Sequence, residues 1–548
     1  MVNLSRRLFL LGSAGATLTA AGCSAPGLSS PESVESGEAA GASLALLTAL
    51  LPETLNPVAG NDSNGMGKIN EGLLTLQASG AELPDLVPQL AASDPEPSED
   101  AMTWTVRLRT DVTFSDSTPL TAEDVVATYS AIIDPETASP IAGDLSMISE
   151  VTAPDAHTVV FTLNIPYVAF PTKLLVGIAP ASTVVPGQKV EQSALNTEPI
   201  GTGPYVVESF GDGKLVYAAN PRFRDGEPAI QKITYVMAAD DNTRAQQMEA
   251  GDFDGSVLPP RLAVTFQDSD EVEVISATSA DWRGISLPSG NPVTADPAVR
   301  MALNLGVDRQ AMVDSVLMGY GRPASTFIPP QYAEYYAPDA VFPHDLDRAR
   351  SVLEEAGWVE GEDGIRARDG VRAAFTIMYS PEDRLRRDLS AVFASEALKV
   401  GFDVSIEGVG WDVLEPRIHQ DSVMLGGGDT PYDVDSQLYS MLHSSYPEAG
   451  IYYDNPSEFA DPEMDAALDR GRTSLTTQER VAAYQRVQEL YLAEPSMVIL
   501  VFLDHTYVQL TSVSEAWEGT PTVLEPHEHG TAWGPWVNVE KWTPKGQT

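Results

Sequence analysis

The feature that most constrains this chain is an alternation. From about residue 100 onward, short segments with two-residue hydrophobic periodicity trade places with amphipathic segments of helical period. Trp104, Val106 and Leu108 fall on one face of a strand-like run. Thr121 and Asp124 then open a helix with the spacing of a capping box. Val125, Val126, Tyr129, Ile132 and Ile133 share one side of that helix, and Pro135 stops it. Residues 159–163 form another strand. Asp296-Pro297 and Asp461-Pro462 each place a capping carboxylate before a first-turn proline. Asp345 starts a helix through Ala349, Val352, Leu353 and Ala356, which Gly357 closes. A long helix spans Thr477–Ala493 with Val481, Tyr484, Val487, Leu490 and Tyr491 inward, and a buried strand over residues 497–503 follows Pro495. Strands interleaved with helices in this way predict a mixed α/β protein, and no internal repeat of fixed period interrupts the pattern.

The amino end carries a different signal. Arg6 and Arg7 precede an apolar stretch over residues 8–22. It is shorter than the roughly 20 apolar residues that span a bilayer, so it reads as an export leader of twin-arginine type over residues 1–22. The leader ends in Ala20-Ala21-Gly22-Cys23, which resembles the lipobox of bacterial lipoproteins, with Ala20 where leucine is usual. The resemblance implies cleavage before Cys23, acylation of Cys23 and anchorage on the outer side of the cell membrane. The alternative is a chance thiol in a discarded leader. Cys23 is the sole cysteine among 548 residues, which excludes an intramolecular disulfide and a cysteine metal cluster. Residues 23–42 are rich in Ser, Gly, Ala and Glu without aromatic residues, and read as a flexible tether.

The formal charge of −45 excludes a nucleic-acid partner and disfavours anionic lipid surfaces, because both bind through Lys and Arg. Catalytic signatures are missing. The chain has no GxSxG elbow, no HExxH helix, no phosphate loop and no dinucleotide fingerprint. It is expected not to be an enzyme and to need no cofactor. A secreted hydrolase and a purely structural or signalling lipoprotein are the readings from other classes.

Seven landmarks occur in order. Thr54 to Pro57 and Ile69 to Leu74 come first. The run from Trp104 through Phe114, Ser115 and Asp116 to Pro119, Thr121 and Val126 is the most distinctive. Gly201-Thr202-Gly203-Pro204-Tyr205, Asn220-Pro221, Val299 to Arg309 and Leu346 to Trp358 complete the series. Together they resemble the family 5 extracytoplasmic solute-binding proteins, the peptide- and nickel-binding group that serves bacterial ABC importers. The resemblance implies a type II periplasmic-binding-protein fold: two α/β lobes, a hinge of two crossover strands and the extra domain of the large cluster C class. Lobe I would comprise residues 43–74, 197–280 and 504–548, the extra domain residues 75–196, and lobe II residues 281–503. A monomer would trap a peptide-like or other small solute between the lobes and pass it to permease subunits.

The best local candidate for ligand contact is the glycine-rich run from Leu425 to Asp435. Gly427 and Gly428 allow close backbone approach, Tyr432 offers a ring, and Asp433 and Asp435 could pair with a cationic group. Asp433 matches the position where peptide-binding relatives hold the ligand's amino group, although Val434 replaces the family proline; a solvated acidic turn is the alternative. Trp411 adds a further aromatic candidate. The arginine that dipeptide binders place before the preceding helix is missing from residues 377–381, and Arg384, Arg386 and Arg387 read as solvent-facing. Five of the seven histidines lie beyond residue 411. A nickel or metallophore site using His443, or His527 and His529, is therefore the rival reading, against a plain capping turn before Trp533.

Overall fold

The computed structural model describes residues 42–80, 82–428, 432–446, 454–527 and 532–546. Cys23 and its leader, the tether before Ala42, and His529 lie outside them. Among the described residues no helix is long and apolar enough to cross a membrane.

An eleven-stranded mixed sheet forms the backbone of the fold. In chain order its strands are β1 (Ala42–Thr48), β2 (Tyr205–Gly211), β3 (Lys214–Ala219), β4 (Ile230–Met237), β5 (Gly255–Val257), β6 (Val272–Ser286), β7 (Gly321–Pro323), β8 (Ala374–Tyr379), β9 (Asp403–Gly408), β10 (Ser422–Gly427) and β11 (Met497–Leu510). The spatial order is β9-β8-β10-β6-β11-β5-β1-β4-β3-β2, with β7 against β11. β1 runs parallel to β4 and β5, and β8 runs parallel to β9 and β10. These two parallel groups are the hearts of two lobes.

β6 and β11 join the groups. They pair antiparallel from Val272↔Leu510 to Thr278↔Asp504, lose register, and resume from Trp282↔Phe502 to Ser286↔Met497. The hydrophobic cores divide at the same place. Ala277 and Tyr507 belong to the first core with Leu44, Leu46, Tyr217 and Ile233, whereas Trp282 and Leu503 belong to the second with Leu303, Phe375 and Leu438. Leu47, one residue out of step with Leu46, faces a smaller third cluster with Met248 and Phe266, as strand alternation requires.

The first core extends into an antiparallel four-stranded sheet, ordered Glu96–Pro97, Thr103–Arg107, Thr158–Leu163, Ile148–Asp155. Helix α1 (Ala122–Ile133) packs on it, its start fixed by Asp124 accepting the Thr121 amide at 2.8 Å. The capping carboxylates behave as read. Asp296 caps α2 (Pro297–Gly306), Asp345 caps α3 (Leu346–Glu355) and Asp461 caps the later helix Pro462–Thr473. The remaining helices that matter below are α4 (Arg384–Leu398), α5 (Val434–Leu442), α6 (Pro462–Thr473) and α7 (Thr477–Ala493).

Two local structures differ from the sequence reading: the family resemblance implies an opening strand and helix at Thr54–Pro57 and Ile69–Leu74, and the last long strand is read only to residue 503. Residues 69–73 form neither helix nor strand; Leu74–Leu76 is a short strand and Pro57–Ala59 a single 3-10 turn. The Asn70 side chain there donates to Ile178 O and Ile200 O, and a Cβ on Gly201 would fall 2.0 Å from Ile69 O. The Gly201–Gly203 turn is thus built to receive this extended segment. The strand read over residues 497–503 continues to Leu510, because Asp504, His505 and Thr506 find partners that let polar residues run through the interior.

Candidate ligand cleft

Three contacts show the two lobes meeting away from the crossover strands. Arg384 at the start of α4 pairs with Asp240 at 3.1 Å, and Gln267 donates to the Tyr320 hydroxyl at 3.0 Å. Tyr432, which follows β10 of the second lobe, is buried in the first core. A cavity of about 330 Å³ opens along this seam between residues 241–262 and 315–392, with Arg261 and Arg384 among apolar neighbours such as Leu262 and Val316. None of the candidate residues read from the sequence lines it.

The candidates gather where β10 gives way to α5. Gly427 lies opposite Trp282 in the β6–β10 ladder, and a Cβ on it would reach the Trp282 ring at 2.5 Å. Gly428 has φ +113°, with Ala280 O 2.6 Å from where its Cβ would stand. The space these glycines leave is filled by the crossover strand itself. The Tyr432 hydroxyl has no hydrogen-bond partner among the described residues, and burial raises its pKa well above the usual phenol value. Trp411 opens a short helix and is 41% exposed.

Asp433 caps α5, its Oδ1 accepting from the Asp435 amide at 2.9 Å and from Arg480 of α7 at 2.6 Å. Asp435 is more deeply set. Arg472 of α6 grips it through Nε and Nη2 at 2.8–3.1 Å, and the hydroxyls of Tyr484 and Tyr167 donate to it at 3.0 Å. Burial pushes the Asp435 carboxyl up, but Arg472 more than offsets this and holds it below the usual range. Arg472 also lies over the Tyr439 ring at 3.2 Å. Tyr167 comes from the first core, so the Asp435 cluster ties the two cores together.

His443 ends α5, stacked on Tyr439 with centroids 4.5 Å apart and with Nε2 3.5 Å from Asp469. His527 lies elsewhere, at the crossover. Its amide donates to Gly428 O, and its Nδ1 is 2.8 Å from Asp281. Asp281, His505 and Glu525 form a buried core around it: His505 bridges Glu525 at 2.7 Å and Asp281 at 3.1 Å, and Arg283 also contacts Asp281. Burial alone would lower the His505 pKa, yet the two carboxylates raise it to about 9. Among the described residues no group of three or more His, Cys, Asp or Glu is set to hold a metal ion.

Sequence reading missed Arg472, Arg480, Tyr167 and Tyr484. It also placed Arg386 in solvent, whereas its guanidinium is mostly buried and donates to Met424 O of β10. Arg384 and Arg387 keep exposed pairings, with Asp240 and Asp388.

Two crossover strands, two cores and a helical and β-sheet extension to the first define a type II periplasmic binding fold. Solved structures agree on this fold. The NikZ protein of Campylobacter jejuni, in complex with Ni(L-His), superposes with a TM-score of 0.80 at 24% identity, over 91% of this chain and 99% of that one. AppA of Bacillus subtilis, in complex with a nonapeptide, gives 0.76 at 22% identity, over 92% and 99%. Residues 85–448 match the bacterial extracellular solute-binding proteins, family 5, middle region, and the chain belongs to that family. Protein XP55 of Streptomyces lividans is 40% identical over 521 residues, 95% of this chain and 94% of that protein.

Proposed function

We propose that this chain is the membrane-tethered receptor of an ABC importer, which closes its lobes on a peptide-like solute and presents it to permease subunits as a monomer. The observation that carries the reading is the α5 amino end. There Asp433 uses Oδ1 for Arg480 and the Asp435 amide, while Oδ2 has no hydrogen bond among the described residues and can take a ligand ammonium. Relatives named for oligopeptide and di/tripeptide binding support it. The lobe and extra-domain boundaries given above, and ligand contacts from Tyr432, Asp435, Gly427, Gly428 and Trp411, belong to the same proposal. So do the acylated Cys23 and a location outside the cytoplasm.

Nickel chelates are the second reading, favoured by the His443 Nε2, which is buried 3.5 Å from Asp469 and has no hydrogen bond among the described residues. Native mass spectrometry of the mature protein decides between them. The protein is incubated with a tryptic digest of a defined protein, or with Ni(II) and L-histidine. Retained peptide masses, with more compact solution scattering, are expected; retention of nickel alone would overturn the peptide reading.

A further inference from the structure

The two lobes meet along two seams, one on each face of the crossover sheet. Consecutive residues of a strand point to opposite faces. Leu46 of β1 and Tyr507 of β11 belong to the first core, which also seats Tyr432, whereas Leu47 and Val508 belong to the third cluster. The near seam, on the face of Tyr432, is filled. That ring is 5% exposed, and Asp435 is gripped by Arg472 and Tyr484 and reached by Tyr167 from the first core at 3.0 Å.

The far seam is different. Leu262, which packs on the third cluster, stands with Pro259 and Pro260 across a cavity of about 330 Å³ from Val316, Leu385 and Val392 of the second lobe. Around it the lobes touch through exposed polar pairs, Arg384 with Asp240 at 3.1 Å and Gln267 with Tyr320 at 3.0 Å. Exposed pairs of this kind are weak and hold no fixed geometry against a sliding motion. Protein interiors are close-packed, so an apolar gap of this size forfeits the contacts its walls would make with one another. One seam is packed and the opposite one is slack.

The bend lies between them, where β6 and β11 lose register between Thr278 and Trp282. A rotation there that parts the near seam brings the walls of the far seam together. We propose that the far cavity is the clearance into which the lobes swing when the receptor opens. It exists while the near seam is shut and is consumed as that seam parts, when Leu262 closes on Val316 and Leu385. The far seam therefore opposes Tyr432: the seated ring favours the shut receptor, and collapse of the apolar gap favours the open one. The swing itself is taken from the solute-binding reading above, and the clearance adds where the moving surfaces go.

The test uses the mature protein, its Tyr432→Ala variant, and Tyr432→Ala combined with Ala391→Trp, Ser315→Trp or Ala391→Ser. Ala391 and Ser315 both line the cavity, which has room for one indole. Small-angle scattering of the ligand-free proteins reads the swing without any solute. Tyr432→Ala is expected to have a larger radius of gyration than wild type. Either Trp should return it to the wild-type value, and Ala391→Ser should not. Tryptic peptides retained in native mass spectrometry are expected to leave Tyr432→Ala roughly tenfold faster than wild type, with most of that delay restored by either Trp. Expansion of both Trp variants to the same extent as Tyr432→Ala overturns the proposal. So does loss of folding in both, since a true clearance accepts a ring while the receptor is shut. No expansion of Tyr432→Ala overturns the opposed seams and the clearance with them. Retention of no peptide by any variant, with the scattering as expected, overturns the peptide reading and leaves the clearance standing.

Discussion

His505 offers a direct measure of how the crossover is held. It is 3% exposed and clamped between Asp281 and Glu525, while the Tyr507 hydroxyl donates to the same Glu525 oxygen at 2.7 Å. Its folded-state pKa of about 9 stands above the ordinary 6.5. The native state therefore binds more protons than the unfolded chain between these values, and stability falls as pH rises through that window. A gap of this size is worth about 3 kcal/mol at 1.36 kcal/mol per unit. This contribution is complete below pH 6.5 and is lost as pH passes 9. With an unfolding entropy of about 2.1 cal/mol/K per residue, some 500 folded residues give about 1 kcal/mol/K, so the corresponding shift in melting temperature is about 3 °C. The assay is thermal unfolding of wild type and His505→Gln from pH 6 to 10. Gln keeps hydrogen-bonding capacity but cannot carry the proton. Wild type should melt about 3 °C higher at pH 6, with the gap closing by pH 10. Parallel curves across the range would refute the clamp.

Asp435→Asn leaves the Arg472 guanidinium buried without its carboxylate and should cost about 3–5 kcal/mol, read as a fall in melting temperature of a few degrees; an unchanged value would show that the pair contributes nothing. Cys23→Ala should abolish partitioning into detergent, leaving soluble protein or uncleaved precursor, and unchanged partitioning would refute acylation at that residue.

Helix caps were legible because they are local. Thr121 with Asp124, and Asp296, Asp345 and Asp461, bond backbone groups within three residues, so nothing distant decides them. The Asp435 cluster was not, since Tyr167 lies 268 residues away and Arg472 lies 37 away. In a chain with a large excess of acids, composition does not mark which carboxylates are buried. Periodicity did hold an unused clue. Arg480 falls in step with the buried Tyr484, Val487 and Tyr491 of α7, and Arg386 with Ser390, Phe393 and Ala397 of α4. A charge on the apolar side of a helix signals an internal partner. The length of β11 was hidden for the converse reason, as its apolar run stops at Leu503 although the pairing does not.

The seating of Tyr432 in the first core has a kinetic consequence. The lobes can swing apart only if the loop after β10 lifts that ring away from its neighbours. Exposing a large buried side chain costs about 1.5–3 kcal/mol, which corresponds to roughly a 10- to 150-fold bias in population. The empty receptor would then spend most of its time shut, and a captured solute would escape no faster than this ring works loose. Residence time on the receptor would be set by how long Tyr432 stays seated, and a smaller side chain there would speed release.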